Sequence, residues 1–316
     1  FFNSLVIILI FLIYDIYKMN LIILSFYYIS ILISIIGFGF LSAKILEIDI
    51  NRYQTNLFGL LGIITLTFVS YFTNLFFAHS YFHNILLLSI GLISFLYGIL
   101  KKRIDFKDTR KIIILAFLLV LISLLYKTHD DFDWYHLPYT LNIAQNKFQF
   151  GLGAFNHGFR TPSSIFYLNS LFYLPIIKFY SFNFGQLYIF LFGLIFFYKK
   201  IFNENNKNSI IFLYSLLSFI FVSIVFYRLA EHGTDRSGQI LIFLIIIFIL
   251  EILNSKKLDI NKIYYTLIFL IYVITVKTYF IIFSILFLPL IFKVGTDLKF
   301  YKKIIFSKIS IFCIIF

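Results

Sequence analysis

Apolar residues run through the chain in long unbroken blocks, and polar residues fall in short clusters between them. The ten residues from Leu241 to Leu250 are all apolar, without the alternation of a barrel strand. A helix that crosses a bilayer takes about 20 apolar residues, within a range of roughly 17 to 25. The blocks at 1–14, 21–43, 57–78, 85–100, 112–126, 184–198, 209–226, 240–253, 263–276, 279–292 and 304–316 therefore predict an all-α, polytopic transmembrane bundle of about 10 to 11 spans. The longest polar interruption is 127–163. Within it, 135–148 reads as a helix starting near Pro138, with Leu137, Leu141, Ala144 and Phe148 on one face, lying in the membrane interface. Thr161-Pro162-Ser163-Ser164 reads as the cap of a second interfacial or re-entrant helix over 164–180.

Composition agrees with this pattern. Of the 316 residues 61% are hydrophobic and 13% charged, and the mean hydropathy is +0.96. A soluble domain carries about 25% charge. The net charge of +13 invites a nucleic-acid reading, but most lysines sit in short loops between apolar blocks, where basic residues set topology. We therefore expect no nucleic-acid partner. The single cysteine, Cys313, excludes a disulfide framework and a cysteine-based metal site. The abundance of Phe, Ile, Tyr, Asn and Lys resembles the coding bias of an AT-rich genome, so a lone aromatic carries little weight. The chain starts without Met and stops inside an apolar run, and it reads as a piece of a longer protein.

Loop charge gives the blocks a direction. With 101–111 placed in the cytoplasm and 263–292 folded as a two-helix hairpin, the loops 44–56, 101–111, 199–208, 254–262 and 293–303 share that side. They then hold 18 of the 27 Lys and Arg residues, the asymmetry the positive-inside rule favours. The same alternation puts 127–183 and 227–239 together on the extracytoplasmic side. Three divisions follow: N-terminal spans over 1–111, a core with both unusual loops over 112–253, and further spans over 254–316.

Those two loops hold the candidate chemistry. Asp130, Asp131 and Asp133 crowd the end of a span. Crowded carboxylates repel, and they make sense where a proton or a cation is shared. Hard cations such as Mg²⁺ or Mn²⁺ take carboxylate oxygens and suit phosphate substrates; a solvated acidic loop end is the alternative. Trp134 and Tyr135 also fit as interface aromatics. In the second loop Glu231, His232 and Asp235 could complete a metal site with Asp131, and Arg228 or Arg236 could clamp a phosphate bidentately. A local salt-bridge cluster is the competing reading. Arg160 in the large loop and Lys277 at the hairpin turn are further candidates for phosphate contact, and snorkelling is the other reading for Lys277. His79 and His83 share a helical spacing of four, with no carboxylate nearby to make a metal site.

Phe132-Asp133-Trp134-Tyr135-His136 resembles the Phe-Asp-Glu-x-His stretch of protein mannosyltransferases and related membrane glycosyltransferases of the GT-C superfamily. The resemblance covers roughly 112–253. It implies an acid in the first large extracytoplasmic loop, two interfacial helices after it, and acidic residues in the next such loop that help bind metal in some members. It also implies a polyprenyl-phosphate-linked sugar as donor, Asp133 as base toward the acceptor hydroxyl, and Asp131 and His136 in support. Two departures stand out. Trp134 replaces the second acid, leaving its role to Asp131 or Asp130, and about five spans precede the loop where the superfamily usually has one. The loop is also similar to that of bacterial membrane proteins with an Asp-x-x-His-Leu-Pro-like stretch. The expected site is a bacterial cytoplasmic membrane. Alternatives are a polysaccharide polymerase or ligase, and a transporter or flippase of envelope lipids. The last would want mid-membrane charges and repeated halves, and neither is evident.

Overall fold

The computed structural model describes residues 21–121, 131–160, 162–203, 209–225, 229–295 and 298–316; for 229–233 and 299 it describes the backbone alone. Asp130, Thr161 and Arg228 lie outside the described residues. The long elements are helices α1 (Leu21–Ile45), α2 (Thr55–Asn74), α3 (Tyr81–Leu100) and α4 (Phe106–Leu119). A single π-helical turn, Phe132–His136, leads into α5 (Leu137–Gln145), and α6 (Ser164–Ser170) follows. Then come α7 (Phe184–Ile201), α8 (Ile210–Val225), α9 (Leu229–Asn254) and α10 (Ile260–Val276). A 3₁₀ segment, Thr278–Phe287, precedes α11 (Leu288–Val294), α12 (Leu298–Ile305) and α13 (Lys308–Ile315). No strand occurs among the described residues; Leu174 and Lys178 form one isolated bridge.

Among the described residues five helical segments are long and apolar enough to cross a membrane: Leu21–Ile45, Thr55–Asn74, Tyr81–Leu100, Phe179–Ile201 and Thr234–Asn254. Ile210–Val225, Ile260–Val276 and Thr278–Val294 are shorter apolar helices. The chain is an integral membrane protein. With no hydrophobic drive between helices inside lipid, close backbone approach has to hold the bundle. A Cβ on Gly39 would lie 1.6 Å from the Phe58 carbonyl oxygen, and one on Gly37 would lie 1.9 Å from that of Gly91. So α1 sits directly against α2 and α3. Helix α7 runs through the middle, with Tyr188 stacked on Tyr28 and its hydroxyl donating to the Tyr28 carbonyl at 2.7 Å.

The basic loops gather at one end, as loop charge predicts. The Asp105 amide donates to the Arg52 carbonyl, and Lys199 reaches both Tyr53 O and Asp108. Glu251 holds Lys200 and, at 3.0 Å, Lys262. Lys293 donates to the carbonyls of Ile252, Leu253 and Ser255 at the C-terminus of α9. Lys277, at the far end of α10, instead pairs with Asp235 near the other end of α9. The 263–292 block is therefore an antiparallel hairpin, broken where Lys277 turns extended.

Other boundaries shift. The 101–111 loop is shorter than its charge suggests, because Asp105 caps α4 by accepting from the Asp108 amide at 2.8 Å. The 57–78 block stops at Asn74, whose side-chain amide donates to the Phe77 carbonyl in the following loop. The 304–316 block is two helices, since Ser307 caps a new one by accepting from the Ser310 amide. Cys313 is half-buried against the core. The largest correction is 227–239. From Leu229 onward it is the first turns of α9, not a loop. It contains no proline, and its two glycines, Gly233 and Gly238, each cost a helix only about 1 kcal/mol relative to alanine.

Candidate functional site

The end opposite the basic loops is built on neutral polar side chains. Helix α6 is buried along its whole length and starts at Ser163, which accepts from the Ile165 amide as the capping sequence predicts. A turn closed by the Phe172 and Tyr173 amides on the Asn169 and Ser170 carbonyls ends it well short of the predicted 164–180. Asn169 fixes it to α7, donating to Gln186 at 3.1 Å and accepting from the Gly185 amide. Asn84 lies 2.9 Å from each of the His79, Ser170 and Tyr173 carbonyls. His79, wholly buried, bonds Ser170 at 2.7 Å through Nδ1 and Thr73 at 3.1 Å through Nε2. Burial, reinforced by the stacked ring of His83, lowers its pKa to about 3, so it is neutral at ordinary pH. Asn74 donates to the Ile143 and Asn146 carbonyls and so holds α5.

Helix α5 therefore docks on protein. Its buried face is Tyr139, Thr140, Ile143 and Ala144; of the predicted Leu137, Leu141, Ala144 and Phe148 only Ala144 is buried, with Leu137 and Leu141 half-buried and Phe148 exposed. Aromatic packing decides the face. Tyr139 meets Phe159, Phe166 and Tyr167, while Phe148 lies past the helix end with its amide on Asn74. These rings form a small separate core beneath the 132–136 turn.

That turn carries three of the candidates. A π-helical turn widens the backbone by one residue and is frequent at functional sites. Asp133 is exposed, Asp131 half-buried, and His136 packs against Phe166 with ring centroids 4.9 Å apart. Tyr135 lies over Gly158, where a Cβ would meet its ring at 2.4 Å, and the Trp134 carbonyl accepts from Asn156. Trp134 itself is exposed, as an interface aromatic would be. Arg160 stands at the rim, with Nε donating to the Gly153 carbonyl at 3.1 Å.

The second charged segment reaches the same place. Burial first, then the carboxylates of Asp131 and Asp235, push the Tyr135 hydroxyl up to about 12. It therefore stays protonated under the influence of two acids from segments about a hundred residues apart in sequence. Asp235 also pairs with Lys277 at 3.4 Å and accepts from the Tyr279 hydroxyl. Gly238 makes room for this meeting, since a Cβ there would collide with Phe280 at 2.2 Å. Arg236 caps α8 instead, donating to the Val225 carbonyl at 2.7 Å. A cation at a helix C-terminus is favourable there.

Sequence reading thus finds Asp131, Asp133, His136, Asp235 and Lys277 at one end of the bundle. Tyr135, Tyr279 and the positioning residues Asn74, His79 and Asn84 are missed; their signal is a polar residue in an otherwise apolar flank. Among the described residues no three His, Cys, Asp or Glu side chains group as a metal site, and Lys277 already occupies Asp235. The side chains of Glu231 and His232 lie outside the described residues.

No curated protein and no solved structure matches the chain. A family model does: that of a domain of unknown function (DUF8201) matches residues 19–316, nearly the full length, and the chain belongs to that family.

Proposed function

We propose that this protein is a glycosyltransferase of a bacterial cytoplasmic membrane, moving a sugar from a polyprenyl-phosphate donor to an acceptor on the extracytoplasmic side. One observation carries the reading: Asp131 and Asp235, from separate segments of the chain, both act on the Tyr135 hydroxyl, at the end of the bundle opposite the basic loops. The GT-C resemblance of 132–136 and the docked pair α5 and α6 after it support the same assignment. In this reading Asp133, open to solvent, takes the proton of the acceptor hydroxyl as its oxygen bonds to the anomeric carbon. The bond from that carbon to the phosphate oxygen breaks, and the phosphate leaves with the electron pair. Lys277 and Arg160 meet its charge, and Tyr135, held protonated, is a hydrogen-bond donor between the acids. General-base help of this kind contributes about 10²–10⁴-fold.

A Mg²⁺ or Mn²⁺ ion on Asp131, Glu231, His232 and Asp235 would have to displace the Lys277 ion pair. Chelation separates the two versions: with Lys277 as the phosphate partner, EDTA leaves transfer unchanged and Lys277→Met abolishes it. The reading itself is tested with proteoliposomes and radiolabelled polyprenyl-phosphate hexoses. Asp133→Asn is expected to lower transfer at least about 100-fold at unchanged expression and melting temperature. Full activity in that variant would remove Asp133 from the chemistry.

A further inference from the structure

At the basic end a cavity of about 560 Å³ opens between the ends of α1 and α3. Lys44, Lys101 and Arg103 line it, and none of them forms an ion pair with a described carboxylate. Of the two acids on its wall, Glu47 is already held by Lys308 at 2.5 Å, and Asp49 stands as the other. The amines of Lys44 and Lys101 both converge on one ring, that of Tyr97, at 5.5 and 5.7 Å from its centroid. Lys44, Lys101 and Arg103 are exposed at the rim, where their summed positive charge attracts an anion.

The walls of the cavity are fixed by the backbone. Helix α3 ends with the Arg103 amide on the Gly98 carbonyl and the Lys102 amide on that of Ile99. This is the double-bonded close that normally has glycine at its left-handed position; here Lys102 takes it, at φ +55°. Helix α1 ends the same way, with the Ile48 amide on the Ala43 carbonyl and Glu47 at φ +57°. Both flanking turns present charged residues where glycine would be the easier choice. Deeper in, the cavity is apolar, with Phe40, Phe58, Ile48 and Ile50 buried around it.

From this cationic rim over an apolar floor, we infer that the cavity between α1 and α3 binds the headgroup phosphate of an anionic phospholipid, whose glycerol and upper acyl chain enter the apolar part. Free phosphate would satisfy the cations but leave that floor without a partner, which favours the lipid as source. Basic pockets between helix ends take anionic headgroups in this manner.

The test is native mass spectrometry of the detergent-purified chain titrated with phosphatidylglycerol or phosphatidylcholine. One phosphatidylglycerol should bind with preference over phosphatidylcholine. Each cation near an anionic lipid is worth roughly fivefold in affinity, so Lys44→Gln/Lys101→Gln/Arg103→Gln should weaken it about 100-fold. Lys44→Arg/Lys101→Arg should retain it, as should the charge-matched control Lys256→Gln/Lys257→Gln/Lys302→Gln. Binding of phosphatidylglycerol to the triple variant at wild-type affinity overturns the site, and so does equal binding of phosphatidylcholine. Displacement of the lipid by millimolar inorganic phosphate, with the same dependence on the three cations, overturns the lipid as ligand. Since the variants lie far from Asp133, failure here leaves the glycosyltransfer reading standing, and the reverse holds equally.

Discussion

The two ends of the bundle solve the same problem in opposite ways. At the basic end, charge is buried and paired: Glu251 holds Lys200 and Lys262, Asp108 holds Lys199, and Lys293 closes the carbonyls that end α9. At the other end the buried polar groups are neutral, as with Asn74, His79, Asn84, Asn169 and Ser170, and Asp133 is left exposed. A buried ion pair staples helices but has no charge left to use. A neutral network positions just as firmly and leaves Asp133 exposed to a substrate. That difference, more than any single motif, marks which end is built for chemistry and which for support. The unpaired cations around Tyr97 are the exception at the basic end, which is why they draw a separate assignment.

Breaking the comparison at its strongest point means unpairing a staple. Glu251→Leu leaves Lys200 and Lys262 without their shared acid, and loss of one partner from a buried pair costs about 3–5 kcal/mol. Thermal unfolding in detergent should show this, and adding Lys200→Met should recover part of the loss. At the opposite end Asn84→Leu strands three carbonyls and should cost about 2 kcal/mol. It should also lower transfer, because α6 loses its anchor.

His79 sharpens the contrast through pH. Its folded pKa, about 3, lies below the ordinary value of 6.5. Between these values the unfolded chain binds the proton and the folded chain does not. The stability His79 contributes is therefore complete above pH 6.5, falls as pH drops through that value, and is gone below about pH 3. At about 1.4 kcal/mol per pH unit, the protein should lose about 2 kcal/mol between pH 6.5 and 5. His79→Gln should flatten that slope. The smallest effect belongs to Lys102, where Lys102→Gly relieves the left-handed strain and should stabilise by about 1 kcal/mol.

Much of this architecture is legible in the pattern of apolar blocks. Loop charge alone brings the basic loops to one end and makes 263–292 a hairpin, and the serine at 163 announces its cap. What pattern misses is set by tertiary contacts. Residues 229–239 look like a loop because they are polar, yet polarity does not forbid helix where no proline intervenes and α8 needs its end capped by Arg236. The buried face of α5 follows tyrosine and phenylalanine packing, which leucine periodicity does not report. The π-turn at 132–136 has no sequence signature. His79 and Asn84 look like ordinary loop residues until α6 folds back against them.

The most direct measurement compares Asp133→Asn with Glu251→Gln in one sugar-transfer assay, with activity expressed per folded molecule. We expect Asp133→Asn to melt like the wild type and lose at least about 100-fold in transfer. Glu251→Gln should melt lower while each surviving molecule keeps its rate. A stable, fully active Asp133→Asn, or a Glu251→Gln that folds normally but transfers nothing, would contradict the division of the bundle into a supporting and a chemical end.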